Sequence, residues 1–312
     1  MNVKKTVAIL IGIVLIAFGI GFLALNYGDN QNISISPNEE NGITKFFGKN
    51  MVKENIDEEK IETVDEIKNI DIETPFVDVN IITENRKDIR IHYNGSLKAN
   101  YIPELKTKKN ANTLYITAKK EGINSYSVSN SNLKLDIYVP MDFKDNIKIT
   151  TSSGDIGISN LKLHDVDIVA SSGNININNL STESLSVETS SGDQKFKGLE
   201  SKKSSFLASS GDIEIYGSTG DTDATTSSGD INLNYDVFNN NITIVASSGD
   251  VDIVLPKDAE FNINASTTSG DIESSFPVTV TGKLKNNLNG KVGNSNNTIN
   301  INTTSGDISI EK

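Results

Sequence analysis

One tetrad, Ser/Thr-Ser-Gly-Asp/Asn, recurs at an almost fixed interval and constrains this 312-residue chain more than any other feature. Its glycines are Gly154, Gly173, Gly192, Gly211, Gly229, Gly249, Gly270 and Gly306, separated by 19, 19, 19, 18, 20, 21 and 36 residues, the last close to two repeats. A period near 20 marks an architecture in which each unit packs on its neighbours.

The flanking residues identify the unit. Counted from the glycine, the places two and four after it and five and seven before it are apolar. They are Ile147, Ile149, Ile156 and Ile158 in the first unit, Val166, Ile168, Ile175 and Ile177 in the second, and Ile242, Ile244, Val251 and Ile253 around Gly249. The place three before the glycine is always Thr or Ala. This alternation on both sides of a turn predicts two short strands per unit, each apolar on one face. A flat meander would need a second layer to cover that face, and no separate block of sequence supplies one. If each unit winds one coil, the apolar faces meet inside and the strands bond to those above and below. The expectation is an all-β, single-chain β-solenoid of about 19-residue coils. Around Gly192, Gly211 and Gly229 the inward places include Gln194, Ser204, Thr222 and Ala224, so those coils should be narrower or hydrogen-bonded inside.

Residues 147–276 hold the regular repeats. Before them, 63–146 contain alternating segments without the tetrad, such as Val77–Ile81 and Leu133–Pro140, expected as wider, irregular first coils that cap the N-terminal end. Residues 277–312 are expected to form a hairpin, with turn signals near 289–294, and a last coil; the hairpin would cover an open sheet edge.

Stacking the units aligns Asp155, Asn174, Asp193, Asp212, Asp230, Asp250, Asp271 and Asp307 in one column. A calcium column, above all Asp193, Asp212, Asp230, Asp250 and Asp271, is one reading. Calcium-binding rolls, however, use paired aspartates, and here each coil offers a single acid. Serine nucleophile chemistry needs an adjacent base, yet the chain has only His92 and His164, and His164 lies between corners. Carbohydrate cleavage needs one pair of carboxylates, not many equivalent copies. The structural reading is that glycine permits a positive φ while Asp or Asn caps the turn through nearby backbone N–H groups. Unit charges about 4.8 Å apart repel by roughly 1 kcal/mol in water, whereas a hydrogen bond to a charged group gives about 1.5–3 kcal/mol. No catalytic residue, cofactor or metal is therefore expected, and the eight glycines are assigned as structural turns. The absence of Cys excludes disulfides and thiolate sites, and the net charge of -12 argues against a nucleic-acid partner.

Residues 6–25, TVAILIGIVLIAFGIGFLAL, carry no charge. As a helix they would span roughly 30 Å, the thickness of a bilayer core. The span exceeds the usual apolar region of a cleaved signal peptide, and Ala24-Leu25-Asn26 is a poor cleavage site. Lys4 and Lys5 precede it, which puts the N-terminus in the cytoplasm. The expected order is a cytoplasmic tail (1–5), one transmembrane helix (6–25), an extracytoplasmic tether (26–62) and the solenoid domain (63–312), giving a single-pass protein of the cell membrane with its C-terminal domain extracellular.

The strand Leu133–Pro140, followed by Ile147-Lys-Ile-Thr-Thr-Ser-Ser-Gly-Asp-Ile-Gly-Ile158 and the further Ser-Gly-Asp coils, resembles the bacterial "putative adhesin" domain family over residues 63–312. Membrane-anchored members resemble an accessory protein of a cell-envelope-stress system. The resemblance implies a β-solenoid at the cell surface and carries over no catalytic residue. The expected function is non-enzymatic binding or adhesion to an unknown protein or glycan of the envelope. An accessory or scaffold role in envelope-stress signalling is the alternative, and a glycan-active β-helix enzyme ranks last because the chain has no Trp and 6% aromatic residues.

Overall fold

Inward-facing Ile, Leu and Val alternate with outward polar residues along nearly every extended segment, and the chain resolves that pattern by winding into stacked coils. A computed structural model describes residues 51–123, 126–284 and 286–312. The expected tail, transmembrane helix and most of the tether lie outside the described residues. Among the described residues no helix is long and apolar enough to cross a membrane, and all regular structure is β. One compact unit covers Lys49–Lys312.

The N-terminal part contains β1 (Val52–Thr63), β2 (Asn69–Thr74), β3 (Asp78–Glu84), β4 (Asp88–Ala99), β5 (Glu104–Asn110), β6 (Thr113–Lys119), β7 (Val128–Ser131) and β8 (Lys134–Pro140). The regular part contains β9 (Asn146–Thr151), β10 (Ile156–Lys162), β11 (Asp165–Ser172), β12 (Ile175–Ser191), β13 (Gln194–Ser210), β14 (Ile213–Tyr216), β15 (Thr219–Ser228), β16 (Ile231–Asn234), β17 (Ile242–Ser248) and β18 (Val251–Val254). The chain ends with β19 (Phe261–Ser269), β20 (Ile272–Ser274), β21 (Thr279–Leu284), β22 (Asn287–Val292), β23 (Thr298–Ser305) and β24 (Ile308–Glu311).

Within the regular part equivalent strands pair in parallel, so Ile156 lies beside Ile175, Ile175 beside Gln194 and Gln194 beside Ile213, with a register shift between Glu200 and Lys203 where β13 meets β15. The inward places predicted from the alternation are buried. Two of the polar residues there bond inside: Gln194 Nε2 donates to Thr189 Oγ1 (2.8 Å) and to the Leu207 carbonyl (2.9 Å), and the Tyr235 hydroxyl donates to Thr222 Oγ1 (2.7 Å). Phe196 and Phe206 fill the same level edge to face, 4.8 Å between centroids.

Three features differ from the sequence expectation. The coils have a short third side beyond the two strands. Asn160, Asn179, Gly198 and Gly217 adopt φ between 54° and 65°, which turns the chain at a second corner. The buried leucines Leu161, Leu180 and Leu199 follow, and they pair with one another. Asn and Gly suit a left-handed turn, so the signal was present in the sequence at the same 19-residue period.

Second, the N-terminal segments are not irregular coils. β2 and β3 form a regular level that pairs in parallel with β9 and β10 on one side and with β6 and β8 on the other. Antiparallel β5 then covers β6, and antiparallel β4 and β1 cover β8. β1 occupies residues expected as tether, so the folded unit begins earlier than residue 63. Charged residues on β1 guard this edge: Lys60 Nζ donates to the Leu105 carbonyl (2.7 Å), and Lys109 pairs with Glu62 (3.4 Å).

Third, sequence order and spatial order separate at the C-terminal end. β23 and β24 pair directly with β17 and β18, while β19 and β20, earlier in the chain, lie beyond them. β22 runs antiparallel along the outer side of β19, and β21 along β22. The reversal between β21 and β22 falls before Asn287, whereas the Gly and Asn signals near 289–294 mark part of β22 and the connection to β23.

The corner geometry makes a sharp prediction. Gly192 has φ 128°, and a Cβ there would stand 2.1 Å from the Gly173 carbonyl oxygen. Gly192→Ala should cost about 3 kcal/mol or more, lowering Tm by roughly 6–12 °C. At Gly122, with φ 76°, a Cβ would meet nothing within 4 Å, and Gly122→Ala should cost about 1 kcal/mol. Thermal melting of the two variants checks the ordering.

Candidate binding faces and the corner column

The repeated acids do not cap their own turns. Each reaches along the stack to the next coil: Asp155 Oδ1 accepts the Asn174 backbone N–H (2.7 Å), Asn174 Oδ1 accepts that of Asp193 (3.0 Å), and Asp193 Oδ1 that of Asp212 (3.1 Å). The ladder continues from Asp212 to Asp230, Asp230 to Asp250, Asp250 to Asp307 and Asp307 to Asp271, each at 2.8 Å. It therefore follows spatial order rather than chain order. It also begins one coil earlier than the tetrad, because Asp78 Oδ1 accepts the Asp155 N–H (3.0 Å) from a segment with no Ser-Ser-Gly signature. The amide of Asn174 serves as well as a carboxylate, which shows that the acceptor oxygen, not the charge, is what the position uses.

The glycine carbonyls explain why the column is so narrow. A Cβ at Gly173, Gly192, Gly211, Gly229, Gly249 or Gly306 would stand 2.0–2.3 Å from the carbonyl oxygen of the glycine in the neighbouring coil. Gly270 meets Gly306 in the same way, and Gly154 meets the Val77 carbonyl at 2.1 Å. Among the described residues no group of three or more His, Cys, Asp or Glu side chains is placed to hold a metal. Both imidazoles are engaged elsewhere, His164 Nδ1 with Asp165 (3.0 Å) and His92 Nε2 with Asp57 (2.8 Å). Neither has a described hydrogen bond to a serine.

The outward face of the second strand in each coil carries more varied chemistry. Lys195, Glu214 and Asn232 are neighbours in one row, and Lys197, Tyr216 and Asn234 in the next. Lys195 Nζ donates to Glu214 Oε2, and the Tyr216 hydroxyl donates to the same oxygen (3.1 Å). Lys195 Nζ lies 5.6 Å from the Tyr216 ring centre, and Tyr216 remains exposed. The hydrogen bond with Glu214 raises the Lys195 pKa, and the bond from Lys195 lowers that of Glu214. Both shifts move away from neutrality, the reverse of what proton transfer requires. The trio is an ion pair beside an exposed aromatic ring.

At the N-terminal end a polar chain crosses the sheet, with Asn94 Nδ2 donating to Asp136 (3.3 Å) and lying 3.2 Å from His92 Nδ1, and Asn80 Nδ2 donating to Asp136 (2.7 Å). The Arg90 guanidinium stacks 3.9 Å over the Tyr138 ring. The grooves are shallow. One of about 450 Å³ is lined by Lys162, His164, Glu183 and Lys202, and another of about 500 Å³ by Glu73, Lys119 and Tyr126. Lys202 pairs with Glu183 and Lys119 with Glu73, each at 2.6 Å, so these charges are largely balanced within the groove.

Replacing one acid of the ladder separates geometry from charge. Asp212→Asn keeps an acceptor and should leave Tm within about 1–2 °C, while Asp212→Ala should cost about 1 kcal/mol at this exposed position. Melting in the presence and absence of millimolar calcium should give the same Tm for the parent chain and both variants.

A crystal structure of a "putative cell adhesion protein" from Clostridium sporogenes shares 17% identity, covering 83% of this chain and 99% of that one, with a TM-score of 0.31. A "putative adhesin" from Bacteroides fragilis shares 15%, covering 82% and 97%, with a TM-score of 0.48. A "putative lipid binding protein" from Parabacteroides distasonis shares 16%, covering 85% and 98%, with a TM-score of 0.40. No curated protein matches the chain. The model of the family described as Toastrack DUF4097 matches residues 67–311, which cover nearly all the coils and most of the N-terminal cap, and the chain belongs to that family.

Proposed function

We propose that this protein is a membrane-anchored, extracytoplasmic binding module without catalytic activity, whose stacked coils present broad strand faces to another component of the cell envelope. The observation that carries the reading is the condition of the surface charges. On one outward face Lys195 and Tyr216 both donate to Glu214 Oε2 while the Tyr216 ring stays exposed. An uncharged stretch of 20 residues ahead of the folded unit supports anchoring. An exposed tyrosine beside an ion pair is the kind of group on which recognition energy concentrates.

Crosslinking the full chain on intact cells and identifying what it captures tests this. Tyr216→Ala should reduce capture about tenfold, a loss near 1.4 kcal/mol, with Tm unchanged within about 2 °C. Equal capture by parent and variant would remove the Tyr216 face from the account, and failure to capture any protein or glycan would remove the binding function. Deletion of residues 6–25 should release the protein from the membrane fraction.

A further inference from the structure

Each level of the stack passes its bonding groups to the next, and the last level has none to pass them to. The Ile156 N–H donates to the Asn174 carbonyl (2.8 Å), the Val251 N–H to that of Asp307 (2.9 Å) and the Ile308 N–H to that of Asp271 (2.9 Å). Asp271 and Ile272 belong to the final level, where β20 pairs with β24 on one side. The antiparallel β22 covers β19 at this end, but among the described residues no strand pairs with the outer edge of β20. The Gly270 and Ile272 N–H groups, which by the pattern of the levels above point across that edge, have no described acceptor.

Two side chains at this level are incomplete in the same way. The Asp271 N–H donates to Asp307 Oδ1 (2.8 Å), but the Asp271 carboxylate, unlike those of Asp250 and Asp307, accepts no described hydrogen bond. Ile156, Ile175, Ile213, Ile231, Val251 and Ile308 are buried in the column that Ile272 ends, while Ile272 is half-buried. One more parallel strand supplies every missing piece: backbone partners for the edge, an N–H for Asp271 and an apolar side chain over Ile272. The charges say what kind of strand fits. Asp271, Glu273, Asp307 and Glu311 lie on the last two levels with no described ion-pair partner, and Lys312 Nζ stands 5.3 Å from the Phe276 ring centre. A groove of about 400 Å³ lined by Glu273, Ser309, Glu311 and Lys312 lies beside the edge. Burial raises the Asp252 pKa, and the charges of Asp250, Glu311 and Asp230 raise it further, so like charge is crowded on this side. A second copy of β20 would bring its own Asp271 and Glu273 against these acids, which disfavours self-pairing.

We infer that the outer edge of β20 docks an extended, basic peptide segment of another protein, added in parallel as one further strand. The apolar side chains of that segment continue the Ile272 column, and its basic side chains lie beside Asp271 and Glu273. The edge is short, so main-chain bonds alone bind weakly, and charge together with the ladder bond to Asp271 provides the selectivity. The site goes beyond the binding function proposed above and does not depend on it, since it uses neither Tyr216 nor the strand face around it.

The probe is a capped, fluorescently labelled seven-residue peptide of alternating valine and lysine, titrated by anisotropy against the full chain in detergent. It should bind saturably. The same peptide with alternate backbone amides methylated keeps its charge and loses the edge bonds, and should bind about tenfold more weakly or worse, as should a valine–glutamate peptide. Glu273 is exposed, and Glu273→Lys should weaken the lysine peptide about tenfold with Tm unchanged within about 2 °C. Tyr216→Ala should leave peptide binding unchanged, so the two surfaces stand or fall separately. Bound peptide should slow hydrogen exchange at the Ile272 and Ser274 amides. Absence of binding, equal binding of the methylated peptide, equal binding by Glu273→Lys, or protection confined to other strands would overturn the inference. So would self-association of the chain that protects the same two amides without peptide.

Discussion

The close passage of one coil over the next at the glycine corner is the constraint on which the rest of the stack depends. With carbonyl oxygens 2.0–2.3 Å from where a Cβ would sit, the corner admits no side chain, and the coils are held at the separation that parallel strand pairing requires. The neighbouring Asp or Asn then ties each corner to the next through its side-chain oxygen. Backbone pairing along the sides and side-chain pairing at the corner thus repeat in register. A change of inward residue, such as Gln194 or Thr222, is absorbed locally by internal hydrogen bonds without moving the strands.

Much of this was legible in the sequence because the tetrad and the alternation are local signals. Ile156 and Ile158 declare an inward face, and Gly192 declares a turn. What the acids do was harder to read. Asp155 as a cap on its own turn and Asp155 as an acceptor for Asn174 are compatible with the same residues at the same spacing, and only the placement of the next coil decides between them. Asp78 could not be found by the motif at all, because Pro75-Phe76-Val77 replaces the Ser-Ser-Gly segment. The second corner was visible in Asn160, Asn179, Gly198 and Gly217, but two strands per repeat already accounted for the period. The binding candidates lie on neighbouring strands, Lys195 on β13 and Glu214 and Tyr216 at alternate places on β14, and their assembly depends on the parallel register.

The ends obey a different rule from the middle. A repeat can recruit any neighbour, so an uncovered end is an aggregation hazard. This chain covers both ends by letting a later or earlier segment reach past a regular level and return. At the N-terminal end β6 and β8 lie beyond β2 and β3 and are covered by antiparallel strands with charged side chains; at the C-terminal end β19 and β20 lie beyond β23 and β24. Such long-range connections carry no periodic signature, which is why the order of levels could not be read from spacing.

The regular spacing of acids in this chain serves contact between coils. Residue-resolved amide hydrogen exchange tests it most directly. The backbone N–H groups of Asp193, Asp212, Asp230 and Asp250, each donated to the acid or amide one coil away, should be protected to the same degree as the amides of the adjoining strands and should keep that protection when calcium is removed. Exchange at the rate of open loop amides, or protection that appears only with calcium, would contradict the account.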